Sequence, residues 1–119
     1  MEDCIFCKIV NRESPASLVF EDDISMVIEP IDPISKGHVL VIPKKHFVNM
    51  LDADDETLSH LIVVAKNSGH ALLEKNSAQA INLLHAAGKE AQQSVFHLHL
   101  HVVPRYENDG LDLWLRNKL

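Results

Sequence analysis

The sequence of 119 residues is short of cysteine, of basic charge and of long apolar runs, and each shortage excludes a class of protein. Two cysteines are too few for a small domain held together by disulfides. No segment approaches the roughly 18 consecutive apolar residues of a membrane-spanning helix. Lysine and arginine total 11 against 17 acidic residues, for a net charge of −6. We therefore expect neither nucleic acid nor a membrane as a partner, whereas a small nucleotide needs only a few local groups.

The length and composition predict one soluble domain that spans residues 1–119. Apolar residues make up 46% and charged residues 24%, which is the usage of an ordinary globular protein. The acidic start of the chain does not resemble a secretory signal, so a cytoplasmic location is expected.

Apolar patterning and chain breakers predict an α+β fold. The predicted elements are a hairpin from 18–20 and 24–28, a strand over 38–42 ended by Pro43, a helix over 53–74, a strand over 79–84, a loop over 86–93, and a last strand over 95–103 ended by Pro104. This order favours a largely antiparallel sheet with the helix on one face. A sheet with a single helix keeps an uncovered face or edge, which a homodimer would cover.

Three of the eight histidines alternate with apolar residues in the segment 97–103 (HLHLHVV). Because successive strand side chains point to opposite faces, His97, His99 and His101 share one face, and the intervening apolar residues share the core face. Two functions fit such a row, metal ligation and the handling of phosphate. At about 3.3 Å per residue the outer two histidines lie about 13 Å apart, so one metal ion cannot hold all three unless the strand bends.

The spacing Cys4-x-x-Cys7 is typical of a metal or redox site in a reducing compartment. The alternative is two ordinary buried thiols, and a thioredoxin-like role lacks the βαβ context. Together with His46 and His97, the two cysteines would form a closed Cys₂His₂ zinc site. Such a zinc would be structural, because it leaves no open position for substrate.

His99 would then be free to react. A neutral imidazole nitrogen can attack phosphorus when an acceptor holds the proton of the other nitrogen, giving a phospho-histidine that water can hydrolyse. His101, Ser94, Gln93 and backbone N–H groups could stabilise the phosphate charge. No Walker loop or GxGxxG motif is present, so phosphate binding would rest on the histidine strand and on the loop before it.

The segment 97–103 matches the motif His-φ-His-φ-His-φ-φ of the histidine-triad (HIT) superfamily. The resemblance covers nearly the whole chain and includes the segments 4–9 (CIFCKI), 37–46 (GHVLVIPKKH) and 93–96 (QSVF). The sequence is most similar to the nucleotide-binding, Hint-like branch, including its bacterial zinc-containing members.

This resemblance implies a homodimer whose subunits each have a five-stranded antiparallel sheet, one long helix and a short N-terminal element. It implies a phosphoramidase-like hydrolase that acts at the α-phosphate of a purine nucleotide or nucleoside phosphoramidate, through a nucleotidyl-histidine intermediate. It also implies structural zinc on Cys4, Cys7, His46 and His97.

The resemblance further implies roles for individual residues. His99 corresponds to the nucleophile, His101 and His38 to groups that orient it and contact phosphate, and Ser94 to a contact of the phosphate or leaving group. The implied nucleotide-binding set is Ile28, Glu29, Ile31, Gln93, Ser94, His99 and His101, with the two isoleucines packing the base.

Three positions depart from the family pattern. Pro30 stands where an acidic residue usually binds the ribose, with Glu29 beside it as a possible replacement. Ala86 stands where the family often has asparagine, and Gln92 where it has glycine. These departures keep a second hypothesis open, a nucleotide-binding regulatory module with vestigial catalysis. A third hypothesis is a protein of zinc storage or sensing.

Four further residues fall in no motif. His60 and His70 are expected to face solvent from the helix, and His85 is expected at a strand end. Trp114, the only tryptophan, could either pack across a dimer interface or cover the core.

Overall fold

The computed structural model describes residues 3–115. Its elements are α1 (Ile5–Val10), β1 (Ser17–Glu21), β2 (Ser25–Glu29), β3 (Val39–Pro43), α2 (Asp55–Lys75), β4 (Ala80–Leu84), a short 3₁₀ turn (Lys89–Ala91) and β5 (Leu100–Arg105). The strands form one antiparallel sheet in the order β1-β2-β3-β5-β4. The predicted α+β fold with a five-stranded sheet, one long helix and a short N-terminal helix is confirmed. Within residues 3–115, no helix is long and apolar enough to cross a membrane.

Helix α2 covers one face of the sheet. It begins at Asp54, whose carboxylate accepts a hydrogen bond from the Thr57 backbone N–H at 2.7 Å, and two further acidic residues favour the positive end of the helix dipole. Its buried residues Leu61, Val64, Ala65 and Leu72 pack against side chains of β2, β3 and β5. The helix predicted over 53–74 is confirmed to within two residues at each end.

Helix α1 lies on the other face, where it brings the N-terminal cysteines to the sheet. Phe6 and Ile9 pack against Met26, Ile28, Leu40 and Ile42 in a second apolar cluster. The sequence left this face without a helix, and α1 covers part of it. The other face of β3 and β5 packs against α2, where Val41, Leu100 and Val102 belong to the first apolar cluster.

The last strand is shorter and later than predicted. The sequence indicates a strand over 95–103 ended by Pro104, whereas β5 runs from Leu100 to Arg105 and includes Pro104. The segment before Leu100 leaves the sheet, because the Leu98 N–H donates to the Phe47 carbonyl at 2.7 Å instead of joining the ladder. Pro104 is tolerated because the pairing of β3 with β5 ends at Val39 and Val102.

Two edges of the sheet remain open in the single chain. β1 and β4 are the outer strands, and Leu83 on β4 is 44% exposed. Trp114 is 60% exposed and therefore does not cover the core. The homodimer that would cover an edge stays a prediction.

Candidate functional site

Four predicted metal ligands meet between α1 and the segment before β5. The ligand atoms of Cys4, Cys7, His46 and His97 all lie within 4.8 Å of one another. The nearest pairs are His46 Nδ1 to His97 Nδ1 at 3.1 Å, Cys4 Sγ to His97 Nδ1 at 3.3 Å, and Cys7 Sγ to His46 Nδ1 at 3.3 Å. Tetrahedral zinc, with bonds of about 2.0 Å to nitrogen and 2.3 Å to sulfur, places its ligand atoms about 3.3–3.8 Å apart. The cluster therefore fits structural zinc.

The protein also fixes which nitrogen of His97 faces the cluster. His97 Nε2 lies 2.9 Å from the Pro43 carbonyl, so this nitrogen carries the proton and donates it to the carbonyl. Nδ1 is left as a lone pair among the thiols, as a metal ligand requires. Burial lowers the pKa of His97 to about 4, which keeps the ring neutral. All four donors are protein side chains, so no coordination position remains for substrate.

His99 is held in one tautomer by the backbone of His97. Its Nδ1 lies 2.8 Å from the His97 carbonyl and must be the protonated nitrogen. Its Nε2 makes no hydrogen bond within residues 3–115. In that range every buried side-chain nitrogen or oxygen has a hydrogen-bond partner. His99 Nε2 has none, so it is not buried and is accessible to a ligand. Burial lowers the pKa of His99, and Phe6 packs edge-on against its ring at 5.3 Å between ring centres. The result is a neutral imidazole with a free lone pair.

A chain of hydrogen bonds fixes His101 in the opposite tautomer. The Ile34 backbone N–H donates to His38 Nδ1 at 3.2 Å, so the proton of His38 is on Nε2. That nitrogen lies 3.0 Å from His101 Nδ1 and donates to it. His101 Nε2 therefore carries a proton, and it has no acceptor within residues 3–115. Burial lowers the pKa of both rings, that of His101 to about 4. His99 and His101 stand with ring centres 5.0 Å apart.

The two residues of the preceding loop that were expected near phosphate have different surroundings. Ser94 is exposed, and its hydroxyl makes no hydrogen bond within the described residues. Gln93 is 6% exposed, and all its side-chain polar groups are used. Its amide nitrogen donates to the carbonyls of Val48 and Val95, and its amide oxygen accepts from Gly88 N–H and from the Asn49 side chain. Gln93 thus ties the loop to residues 48–49.

The residues expected around the nucleoside lie at the end of β2 and just beyond it. Ile28 is buried opposite Leu18 and Leu40 in the cluster under α1. Ile31 is 95% exposed, so its side chain forms an open apolar surface. Glu29 is exposed and accepts a hydrogen bond from the Ser17 hydroxyl at 2.6 Å.

Sequence reasoning missed two histidines that the fold uses. His60, expected to face solvent, is half-buried and lies 2.8 Å from the Asp22 carboxylate at the turn between β1 and β2. His85 lies at the end of β4, as expected, and its contact with the backbone of His99 was not predicted. Neither belongs to a periodic pattern, and their partners are distant in sequence, so no local signal identifies them. His70 is exposed, as expected.

Comparison with known proteins places this geometry in a family. The model of the HIT domain matches residues 11–108. A HIT-like protein of Borreliella burgdorferi is 45% identical over 121 aligned residues, which cover all of this chain and 87% of that protein. An Arabidopsis thaliana protein named adenylylsulfatase HINT3 is 35% identical over 92% of this chain and 55% of its own length.

Solved structures agree in fold and in sequence. A Zn-bound histidine triad family protein from Mycobacterium smegmatis superposes with a TM-score of 0.90 at 40% identity, covering 93% of this chain and 81% of that one. A hypothetical histidine triad nucleotide-binding protein from Sulfolobus tokodaii superposes with a TM-score of 0.85 at 43% identity, covering 87% of this chain and 70% of that one. With its zinc ligands and histidine row placed as described, the chain belongs to the HIT, or histidine-triad, family.

Proposed function

We propose that this protein is a nucleotide-binding hydrolase that acts at the α-phosphate of nucleoside 5′-phosphoramidates or related 5′-nucleotidyl compounds. The observation that carries the proposal is the tautomer of His99. Its Nδ1 proton is held by the His97 carbonyl, which leaves the Nε2 lone pair free for attack on phosphorus. The names of two similar proteins, a nucleotide-binding protein and an adenylylsulfatase, support the same class of substrate.

The first step forms a covalent intermediate. His99 Nε2 donates its lone pair to the α-phosphorus, and the bond from phosphorus to the leaving nitrogen breaks. The leaving amine keeps the electron pair of that bond and takes up a proton from solvent. The His97 carbonyl stabilises the positive charge that develops on the His99 ring, because it accepts a hydrogen bond from Nδ1.

The second step releases the nucleotide. Water adds to phosphorus, the bond between phosphorus and His99 Nε2 breaks, and the electron pair returns to the ring. The water loses one proton to solvent. The products are a nucleoside monophosphate and a neutral His99 ready for another cycle.

His101 and Ser94 are proposed to stabilise the negative charge on the phosphate. The N–H at His101 Nε2 is a donor whose orientation is set through His38 and the Ile34 backbone. The hydroxyl of Ser94 is a second donor on the preceding loop. His38 is proposed to act as a positioning residue, because both of its ring nitrogens are hydrogen-bonded within the protein.

The nucleoside is proposed to bind beyond the end of β2, with its base against Ile31 and with Ile28 supporting that surface from below. Glu29 takes the ribose in place of the acidic residue that is common where Pro30 stands. Gln93 is proposed to shape the phosphate-binding loop, because its polar atoms are already bonded within the protein.

Zinc on Cys4, Cys7, His46 and His97 would cross-link the chain and would take no part in the reaction at phosphorus. It would hold α1 against the backbone that carries the His97 carbonyl, and through that carbonyl it would support the orientation of His99.

The test compares the release of AMP from adenosine 5′-phosphoramidate by the parent and by His99→Ala. Loss of a nucleophile should lower kcat by a factor of about 10³ or more. His70→Ala, which removes an exposed histidine of α2, is the matched control and should retain the parent rate. Equal rates for the parent and His99→Ala would refute the mechanism.

The departures at Pro30, Ala86 and Gln92 favour a second candidate, a nucleotide-binding module with vestigial catalysis. Gln92 has a left-handed backbone with φ of 72°, a conformation that suits the glycine usual there and strains a glutamine. This candidate predicts tight binding of AMP by calorimetry with negligible turnover. Rapid turnover of the phosphoramidate would exclude it.

A further inference from the structure

His85 lies directly after β4, outside every motif of the sequence. The ladder between β4 and β5 ends at the pair Leu84 and His101. Alternate carbonyls along this segment face β4, and the next one beyond His101 is that of His99. It lies past the end of the ladder and therefore has no partner in β4. A backbone carbonyl near the core needs a donor, and the side chain of His85 provides one.

Both ring nitrogens of His85 are used, and together they fix its tautomer. Nδ1 lies 3.1 Å from the His99 carbonyl, so it carries the proton and donates. Nε2 accepts a hydrogen bond from the Met50 backbone N–H at 3.2 Å. Only a neutral ring with its proton on Nδ1 can form both bonds, because a charged imidazole has no acceptor nitrogen.

These two bonds connect the backbone of His99 to the backbone of Met50 through the side chain of His85. Met50 follows Val48 and Asn49, which hold the side chain of Gln93 in the loop before the histidine row. His85 attaches this same segment to the backbone of His99. His99 is thereby restrained twice, at its ring by the His97 carbonyl and at its own carbonyl by His85.

We propose that His85 is a positioning residue for His99, which sets the distance between the nucleophile and the phosphate-binding loop. The proposal rests on the function proposed above. It assigns His85 no contact with substrate, since its two nitrogens are both bonded within the protein. The alternative is that His85 only closes the end of the sheet, in which case its loss would lower stability and leave the chemistry of the folded protein unchanged.

Two substitutions separate these roles. His85→Leu removes both hydrogen bonds. His85→Asn keeps a donor close to the position of Nδ1, within reach of the His99 carbonyl, and loses the acceptor for Met50. His70→Asn is the control for loss of a histidine at an exposed position.

We expect His85→Leu to lower kcat on adenosine 5′-phosphoramidate by about 10- to 100-fold with KM within about threefold, because small displacements of a reacting group cost this much. His85→Asn should recover kcat to within about threefold of the parent. The proposal is overturned if His85→Leu, assayed where it is fully folded, keeps kcat within twofold of the parent. It is equally overturned if His85→Asn is as slow as His85→Leu.

A second readout does not depend on turnover. Nitrogen NMR of the parent should show His99 protonated at Nδ1. The ring-nitrogen signals of His99 should shift or broaden in His85→Leu, because the ring moves relative to the His97 carbonyl, and should stay close to those of the parent in His85→Asn. If the parent hydrolyses no phosphoramidate but these spectra differ as expected, the proposed function fails and the positioning role stands. If the His99 signals are the same in all variants, the positioning role fails whatever the activity.

Discussion

Cys4 has two roles, as a zinc ligand and as the N-cap of α1, and replacement by serine separates them. Its thiol is one of the four zinc ligands, and it also accepts a hydrogen bond from the Cys7 backbone N–H at 3.3 Å as the N-cap of α1. A serine hydroxyl is a good N-cap and a poor zinc ligand. Cys4→Ser should therefore lose zinc while keeping the cap, whereas Cys4→Ala loses both.

The size of the effect follows from what α1 buries. We expect α1 to leave the sheet when the zinc cross-link is lost, and its buried side chains Phe6 and Ile9 are 6% and 8% exposed. Full burial of such side chains contributes about 1.5–3 kcal/mol each, so release of α1 would cost about 3–6 kcal/mol. Cys4→Ala should be no more stable than Cys4→Ser, because it loses the cap as well as the zinc ligand.

Urea unfolding and elemental analysis of the same samples measure both quantities. We expect less than one zinc per chain in Cys4→Ser and a free energy of unfolding lower by about 3–6 kcal/mol. No zinc ligand is proposed to contact phosphate, so loss of zinc should change the affinity for AMP only through the orientation of His99. If Cys4→Ser retains one zinc per chain and unfolds at the urea concentration of the parent, the ligand assignment is wrong.

Two further predictions concern stability. Burial lowers the pKa of His38 and of His101, the latter to about 4, against about 6.5 in the unfolded chain. The unfolded state therefore binds more protons between these values, and the free energy of unfolding should fall as the pH drops from about 6.5 to 4. The urea midpoint of His101→Asn should depend less on pH in this window, and pH profiles identical to those of the parent would contradict the reasoning. Leu61→Ala, at a fully buried position of α2, should lower the free energy of unfolding by about 2–5 kcal/mol with zinc content unchanged, and a loss under 1 kcal/mol would contradict the packing described.

Local patterns predicted most of the fold. The spacing of Leu58, Leu61, Ala65 and Leu72 identified α2, and the β-branched run before Pro43 identified β3, because both signals lie within a few residues. The last strand was misplaced because its alternating pattern continues through a segment that is bent by hydrogen bonds to distant residues. Leu98 bonds to Phe47, and no local pattern contains that contact.

The sequence predicted those parts of the candidate site in which the chemistry requires a particular type of side chain. The zinc ligands followed from the chemistry of Cys and His side chains, and the cluster confirms them. The tautomers could not be predicted, because they depend on carbonyl groups of Pro43 and His97 whose positions only the folded chain defines. His85 was missed for the same reason, since its partners are the backbones of Met50 and His99.

The claim that His99 attacks phosphorus is tested most directly by trapping the intermediate. The parent protein is mixed with adenosine 5′-phosphoramidate, quenched in alkali within the first turnover, and its peptides are mapped by mass spectrometry. The account predicts an adenylyl group on the peptide that contains His99, located on that ring by fragmentation and missing from His99→Ala. An adduct on any other residue, or product formed with no adduct at any time, would contradict it.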